Sequence, residues 1–418
     1  PQRPIDPRLD QINKDGPQAA GQFSDAVRRA RTPREVQILS GKLQPGEQLI
    51  LDPNGEWQDA RFHLAGVGTE EHPILIRSET GRPVKFSGRS EVAFSGAHLI
   101  IADLHFEKVR PARDNTVIFR LGNGEAKPAD HCIVHNISFT DCGSESPEDW
   151  PRVHVWLMSL RGSGNTIARC TFSGFRNIGQ MIGAADLPPT GLQQLHLLNN
   201  TFRDRPKIDE QNGYEIFQIG WSGEKARGAG SLVQGNTFEH CDGETEIVTL
   251  KASDVVVRDN QFLGCQGALV LRHADRVQVL DNIFDGKDRP NTGGVRVCGA
   301  DHVITGNTFR NLSRPKDFYT WTISLMAASA EHTADDTEGY GRVKNLLIAH
   351  NRFERCEKRI AVGIYPRPEY PLLPQNITVR DNVFTGSAGV TSAFDYLAND
   401  PDHALRGQLR EAANKFEP

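Results

Sequence analysis

An Asn-x-Phe triplet returns four times in the middle of this chain, at Asn236/Phe238, Asn260/Phe262, Asn282/Phe284 and Asn307/Phe309. The spacings are 24, 22 and 25 residues, the length of one solenoid coil. Between the triplets lie short β-branched runs, Ile247–Leu250, Val255–Val257, Leu269–Leu271 and Val277–Leu280, broken by Gly, Asn and Asp. That is strand punctuation, and helical periodicity is absent. The expected fold is all-β: a right-handed, single-stranded parallel β-helix with short helical caps. One domain is expected over 1–418, with an arm and helical cap at 1–35, coils with inserted loops at 36–392 and a second cap at 393–418.

Stacking of parallel coils turns sequence distance into contact. Equivalent residues of successive coils stand about 4.8 Å apart. Lys251, Arg272 and Arg296, separated by 21 and 24 residues, are therefore expected to form a short basic column. Glu244 and Glu246 are two apart on the strand before Lys251 and should point the same way. Counted along an ideal strand, Lys251 would face away from Glu246, so a turn or bulge is expected before it.

Composition narrows the function classes. A charged fraction of 24% is that of a folded protein, and a net charge of −5 offers no global attraction for a polyanion. An acidic partner would need a local basic column or a bound cation. No nucleic-acid reader motif is present, and no apolar run is long enough to insert in a membrane. The chain begins at Pro1 without Met, so a leader removed from a secreted or periplasmic protein is the expectation. The seven cysteines show no CxxC pair or zinc spacing. Cys142, Cys241, Cys265 and Cys356 each follow a repeat Phe by three residues, which favours a buried stack of small side chains over a Cys241–Cys265 disulfide.

Along the chain, residues 1–20 read as a polar arm and Gln22–Ala30 as a short amphipathic helix capping the open solenoid end. Early strands are expected at Gln48–Asp52, Pro73–Arg77, Val84–Phe86 and His98–Ala102. Weaker repeats follow at Asn136, Asn165 and Asn200. Loops are inserted near Ser144–Arg152, Pro188–Gly191 and Ser222–Ser231. A longer insertion over Arg314–Arg342 carries Trp321, His332 and Tyr340. Coils resume at Asn351 and Asn382, and Ala404–Ala413 reads as a closing helix. The recurrent Asn is a structural device: it tolerates left-handed backbone and can bond its stacked equivalents, so it is assigned no chemistry.

Chemistry is expected at Glu244, Glu246, Lys251 and Arg272. Lone charges on a coil are usually solvated, but two carboxylates on one strand face repel unless something positive lies between them. Ca²⁺ accepts carboxylate and amide oxygens together. A cation, an amine and a guanidinium suit β-elimination from a uronic acid polymer. A base removes the C5 proton, a Lewis acid stabilises the enolate-like charge, and the C4 oxygen leaves. Like charge nearby would lower the lysine pKa and free it as the base.

The segments NGYE at Asn212–Glu215, CDGETEI at Cys241–Ile247, Lys251, LRH at Leu271–His273 and GGVR at Gly293–Arg296 resemble polysaccharide lyase family 6, which holds alginate lyases and chondroitinase B. LQPGEQLILDPNGEW and PILIRSETGRPVKFSG extend the resemblance over most of residues 40–310. It implies Lys251 as the C5 base and Arg272 as the acid or charge stabiliser at the leaving oxygen. It also implies Asn212, Glu244 and Glu246 as calcium ligands, His273 and Arg296 as substrate contacts, and Glu215 beside them. By spacing alone His273 is a turn histidine, and Arg296 could pair with Asp288 or Asp301. The carboxy-terminal third departs from the family pattern, and the chain is shorter than members with a second β-helix.

The leading expectation is a calcium-dependent alginate lyase. A dermatan sulfate lyase would use the same apparatus but needs extra basic residues for sulfates. A glycoside hydrolase needs two free carboxylates, and here both look committed to metal. A non-catalytic carbohydrate-binding solenoid is compatible with the fold but leaves the Lys251/Arg272 pairing unexplained.

Overall fold

A computed structural model describes residues 21–417, apart from 112, 125–126, 185–186, 188–191, 210–211, 223–226, 314–320, 330–338, 365–367, 387–390 and 399–404. The arm at 1–20, the loop Pro188–Gly191, residues 223–226 of the next loop and His332 fall outside the described residues. The chain divides into two compact units, residues 1–182 with 195–200, and residues 183–194 with 201–418.

Each unit is a stack of parallel coils contributing one strand per coil to each of three sheets. In the first unit one sheet runs Val27–Ala30, Gln48–Leu51, Ile74–Ser78, Leu99–Ala102, Ile133–His135, Thr166–Ala168 and His196–Leu198. In the second, the sheet that matters for chemistry runs Phe217–Ile219, Glu246–Leu250, Ala268–Leu271, Val295–Val297, Ile323–Met326 and Ile360–Ile364. The fold is a parallel β-helix, as the triplet spacing predicts.

The triplets are its spine. In the second unit Asn236, Asn260, Asn282, Asn307, Asn351, Asn382 and Asn414 form a ladder. Each side-chain amide donates to the next side-chain oxygen at 2.9 or 3.0 Å. Each backbone N–H from Asn236 to Asn382 donates to that same oxygen. Two residues on, Phe238, Phe262, Phe284, Phe309, Phe353, Phe384 and Phe416 stack at 4.5–5.1 Å between centroids. Asn307 and Asn351 are neighbours although 44 residues apart. Within the stretch expected to be an insertion, Ile323–Met326 is a strand of the stack, paired with Val295–Val297 and Ile360–Ile364.

The left-handed conformation expected of the ladder Asn belongs instead to the residue before it: Asp259, Asp281, His350 and Asp381 have φ of 54–57°. The ladder Asn is then free to point inward. In the first unit Asn136 is one of these left-handed residues (φ 52°), while Asn165 and Asn200 are buried. All seven cysteines are free and buried, consistent with the packing role rather than the disulfide.

Both expected cap helices are corrected. Val27–Ala30 is a strand paired with Gln48–Leu51, exposed except at Ala30. The helix lies at Pro33–Leu39, where Thr32 Oγ1 accepts from the Glu35 N–H, Pro33 opens the first turn and the Glu35 carboxylate accepts from the Arg31 N–H. At the other end a 3₁₀ turn at Arg406–Gln408 leads into strand Leu409–Ala412, paired with Gln375–Arg380. Asn414-Lys415-Phe416 is one more copy of the triplet, and the open stack edge is a stronger partner for this segment than its helix propensity.

Candidate active site

Every predicted site residue lies in the second unit. The strand Glu246–Leu250 pairs with Ala268–Leu271 through Val248/Leu269, Thr249/Val270 and Leu250/Leu271. Between Glu246 and Val248 the register slips, so Ile247 is an extra residue. This is the irregularity expected before Lys251, and it restores the parity that lets Glu246 and Lys251 share a face. Lys251 and Arg272 each follow the Leu250/Leu271 rung directly, with the Arg272 N–H donating to Leu250 O at 2.8 Å. The two basic residues therefore occupy the same position on successive coils.

Arg296 does not continue that column. It pairs in register with Val270 and Ser324, two residues short of the Lys251/Arg272 row. Its guanidinium is buried, 4% exposed, and its partner is neither Asp288 nor Asp301 but the Glu246 carboxylate. The other Glu246 oxygen accepts from Thr249 Oγ1 at 2.8 Å. Burial pushes the Glu246 carboxyl upward, but Arg296 and then Arg272 outweigh it and hold the group below the usual carboxylate range.

Glu244 has the opposite environment. Burial, then repulsion from Glu215 and Glu246, pushes its carboxyl well above the usual range. One of its oxygens accepts from the Gly213 N–H at 2.8 Å and the Tyr214 N–H at 3.1 Å, which ties the Asn212–Glu215 turn to the Glu244 coil. Gly243 makes that approach feasible: a Cβ there would lie 2.4 Å from the Tyr214 carbonyl oxygen. Asn212 is exposed at the turn, and Glu215 is buried. His273 lies in the bend that follows strand Ala268–Leu271, as spacing suggests, and is buried there, 2% exposed.

Two residues here escape a reading by sequence. Gln218, on the rung preceding Thr249, donates its amide N–H to Gly220 O at 2.9 Å, which leaves Oε1 to accept from Lys251 Nζ at 3.0 Å. An amine can donate in that contact in either protonation state. Arg205 is fully buried beneath the turn, with Nε donating to Tyr214 O at 3.3 Å and its guanidinium over the Tyr214 ring. Burial lowers its pKa to about 10, against the pull of Tyr214, Glu215 and Glu244. No repeat signal marks Gln218. Arg205 falls three residues after Phe202, in register with Cys241, so the repeat marks its position but not that an arginine replaces the buried cysteine there.

Among the described residues no group of three or more His, Cys, Asp and Glu side chains could by itself hold a metal ion. A hard cation would have to draw on an amide oxygen as well as carboxylates. The donor set fits one in kind. Glu215 and Glu246 both repel the buried Glu244 carboxylate, and Glu246 is paired to the Arg296 guanidinium, so a cation between the carboxylates would relieve the repulsion. The exposed Asn212 amide belongs to the turn that Glu244 grips.

The family model described as Chondroitinase B matches residues 32–387. The chain belongs to that family, within polysaccharide lyase family 6. No curated protein sequence matches the chain. Among solved structures it is similar to the family 6 alginate lyase AlyGC, at 24% identity and a TM-score of 0.83, over 94% of this chain and 51% of that one. It is also similar to a mannuronic acid specific family 6 lyase from human gut microbiota, at 23% identity, TM-score 0.79, over 93% and 86%. A third is a family 6 alginate lyase in complex with a trisaccharide, at 18% identity, TM-score 0.74, over 94% and 86%. At these identities the likeness is one of fold, and the chain spans about half the length of AlyGC.

Proposed function

We propose that this protein is a calcium-dependent alginate lyase that breaks the 1,4-linkage by β-elimination and leaves a 4,5-unsaturated uronate end. The observation that carries the reading is the placement of Lys251 and Arg272 on successive rungs beside the Glu244/Glu246 pair. An amine and a guanidinium a coil apart can address two neighbouring atoms of one sugar. That spacing suits removal of a proton from C5 and support of charge at the oxygen on C4.

Lys251 Nζ, steadied by Gln218, takes the C5 proton. The electron pair of the broken C–H bond becomes the C4–C5 double bond as the C4–O bond breaks. Arg272 stabilises the negative charge on the departing oxygen, which takes a proton from water as it leaves, while the C5 proton stays on Lys251 until it is lost to solvent. Calcium, held by Asn212, Glu244 and Glu246 with Glu215 alongside, would neutralise the uronate carboxylate and so make the C5 proton more acidic. His273, next to Arg272 in the chain, and Arg296, paired to Glu246, would be the substrate contacts. The buried Glu246–Arg296 pair also fixes the strand that presents Lys251. Names of structural neighbours support alginate as the polymer, and such an enzyme would act where that polymer is met, secreted or in the periplasm.

The test is absorbance near 235 nm, where unsaturated uronates absorb, on alginate and separately on dermatan sulfate, with calcium and with chelator. A chelator-sensitive rise on alginate supports the proposal. A rise on dermatan sulfate alone moves the substrate to the glycosaminoglycan. No rise on either polymer, with the protein folded and calcium present, overturns the lyase reading in favour of a binding solenoid.

A further inference from the structure

Arg272 is gripped by a segment distant in sequence. Its Nη1 donates to Gly339 O at 3.0 Å, and its Cζ lies 4.1 Å from the centre of the Tyr340 ring. Tyr370 stacks on the same ring, with centroids 5.2 Å apart and planes inclined by 26°. Tyr340 thus has both the Arg272 guanidinium and a second aromatic ring as partners.

The Tyr340 segment is itself fixed. The Tyr340 carbonyl accepts from the Ser329 N–H at 3.2 Å and the Ser329 hydroxyl at 3.1 Å. The next carbonyl, Gly341 O, accepts from the Gly299 N–H at 3.0 Å. Tyr340 packs against a buried cluster of Cys298, Trp321, Met326, Ala361 and Ile364. Cys298 follows the Leu271/Val297 rung, so it stands beside Arg272 on the next coil. Gly339 and Tyr340 thus form a clamp on Arg272, packed against the cluster that holds Cys298.

An unclamped arginine side chain samples many rotamers, and fixing it at the moment of reaction costs entropy. Stacking on the ring confines the guanidinium to one plane, and the hydrogen bond to Gly339 sets its rotation within that plane. We propose that Tyr340 is a positioning residue for Arg272, holding the guanidinium flat and oriented toward the leaving oxygen. The role rests on the lyase reading for its catalytic consequence, and on the stack alone for its geometry.

The experiment compares Tyr340→Phe and Tyr340→Leu with the wild type, each confirmed as folded by circular dichroism. A cation–π contact of this kind corresponds to about a tenfold loss of kcat in Tyr340→Leu, with KM unchanged, because Arg272 acts on charge that develops in the transition state. Tyr340→Phe keeps the ring and restores the rate. In an Arg272→Lys background Tyr340→Leu adds no further loss, since the two substitutions disrupt one contact. A loss confined to KM, an equal loss in the Phe and Leu variants, or full additivity overturns the proposal. Guanidinium NMR of the calcium-loaded protein gives a readout independent of turnover. The Arg272 Nε–H signal, assigned through Arg272→Lys, is displaced by the ring current in wild type and Tyr340→Phe and returns to the free-arginine position in Tyr340→Leu. An unchanged signal in Tyr340→Leu refutes the clamp even if no polymer is cleaved, whereas an inactive wild type with a displaced signal sinks the lyase reading and keeps the clamp.

Discussion

Replacing Asn282 by Ala removes one rung of the ladder and leaves the backbone in place. The side-chain oxygen of Asn282 accepts from the backbone N–H and the side-chain amide of Asn260, both at 2.9 Å, and its own amide donates to Val257 O at 3.0 Å. The site is 1% exposed, so water cannot replace these partners. After substitution the Asn260 N–H loses this acceptor, and Val257 O loses this donor. The Asn260 side-chain amide keeps its bond to Val233 O. One orphaned buried donor costs about 1–3 kcal/mol and a weakened carbonyl about 1 more, giving a loss of about 2–4 kcal/mol. Asn414→Ala deletes the equivalent bonds to Asn382 at the last rung, where the contacts are only partly buried and water repays most of the loss. Its expected cost is about 1 kcal/mol or less. Urea midpoints of the two variants, read with hydrogen exchange of the peptide containing Asn260, make the comparison. Equal shifts, or an Asn260 amide whose protection survives in Asn282→Ala, would refute the argument that the ladder is held by buried amide bonds.

Arg296→Met should destabilise the second unit by about 3–5 kcal/mol, because it strands the Glu246 carboxylate in a buried site, while Glu246→Gln/Arg296→Met recovers much of that loss; denaturant midpoints of the two single variants and the double variant check it. Asp285 gives an acid-side prediction. Burial works against its charge, but the Lys287 N–H, Asn311 and the Lys287 and Arg310 side chains bring its pKa down to about 2. A depressed folded-state value stabilises above the ordinary carboxylate pKa and is lost as pH falls toward 2, so Asp285→Asn should flatten stability against pH between roughly 4 and 2. A thermal melt series over that range that retains the wild-type slope would contradict it.

How much of this was legible follows from what each residue depends on. The triplet depends only on its own recurrence, so the spine and the coil period could be read directly, as could the adjacency of Lys251 and Arg272. Asn414/Phe416 is the same triplet, yet it was hidden in a run of helix-favouring residues, LREAANK, whose state is decided by the stack edge it joins. Val27–Ala30 misled for the same reason. Spacing alone places Arg296 in the Lys251/Arg272 row because it does not reveal where a strand begins, and the Val270/Arg296 pairing offsets it by two residues from Arg272. Gln218 and Tyr340 reach the site across irregular loops, and Tyr340 lies 68 positions after Arg272 in the chain, so no period points to them, whereas Arg205 stands at a repeat position whose usual occupant is a buried cysteine.

The central claim is that Lys251 removes the C5 proton, and the most direct measurement sets Lys251→Ala beside the wild type on alginate with calcium present. Initial rates at 235 nm would be read together with alginate binding by calorimetry. The account predicts that the variant still binds the polymer and produces unsaturated ends at a rate lower by about 10²–10⁴, the share that a positioned general base supplies. A variant that binds alginate and turns it over at the wild-type rate would contradict the account.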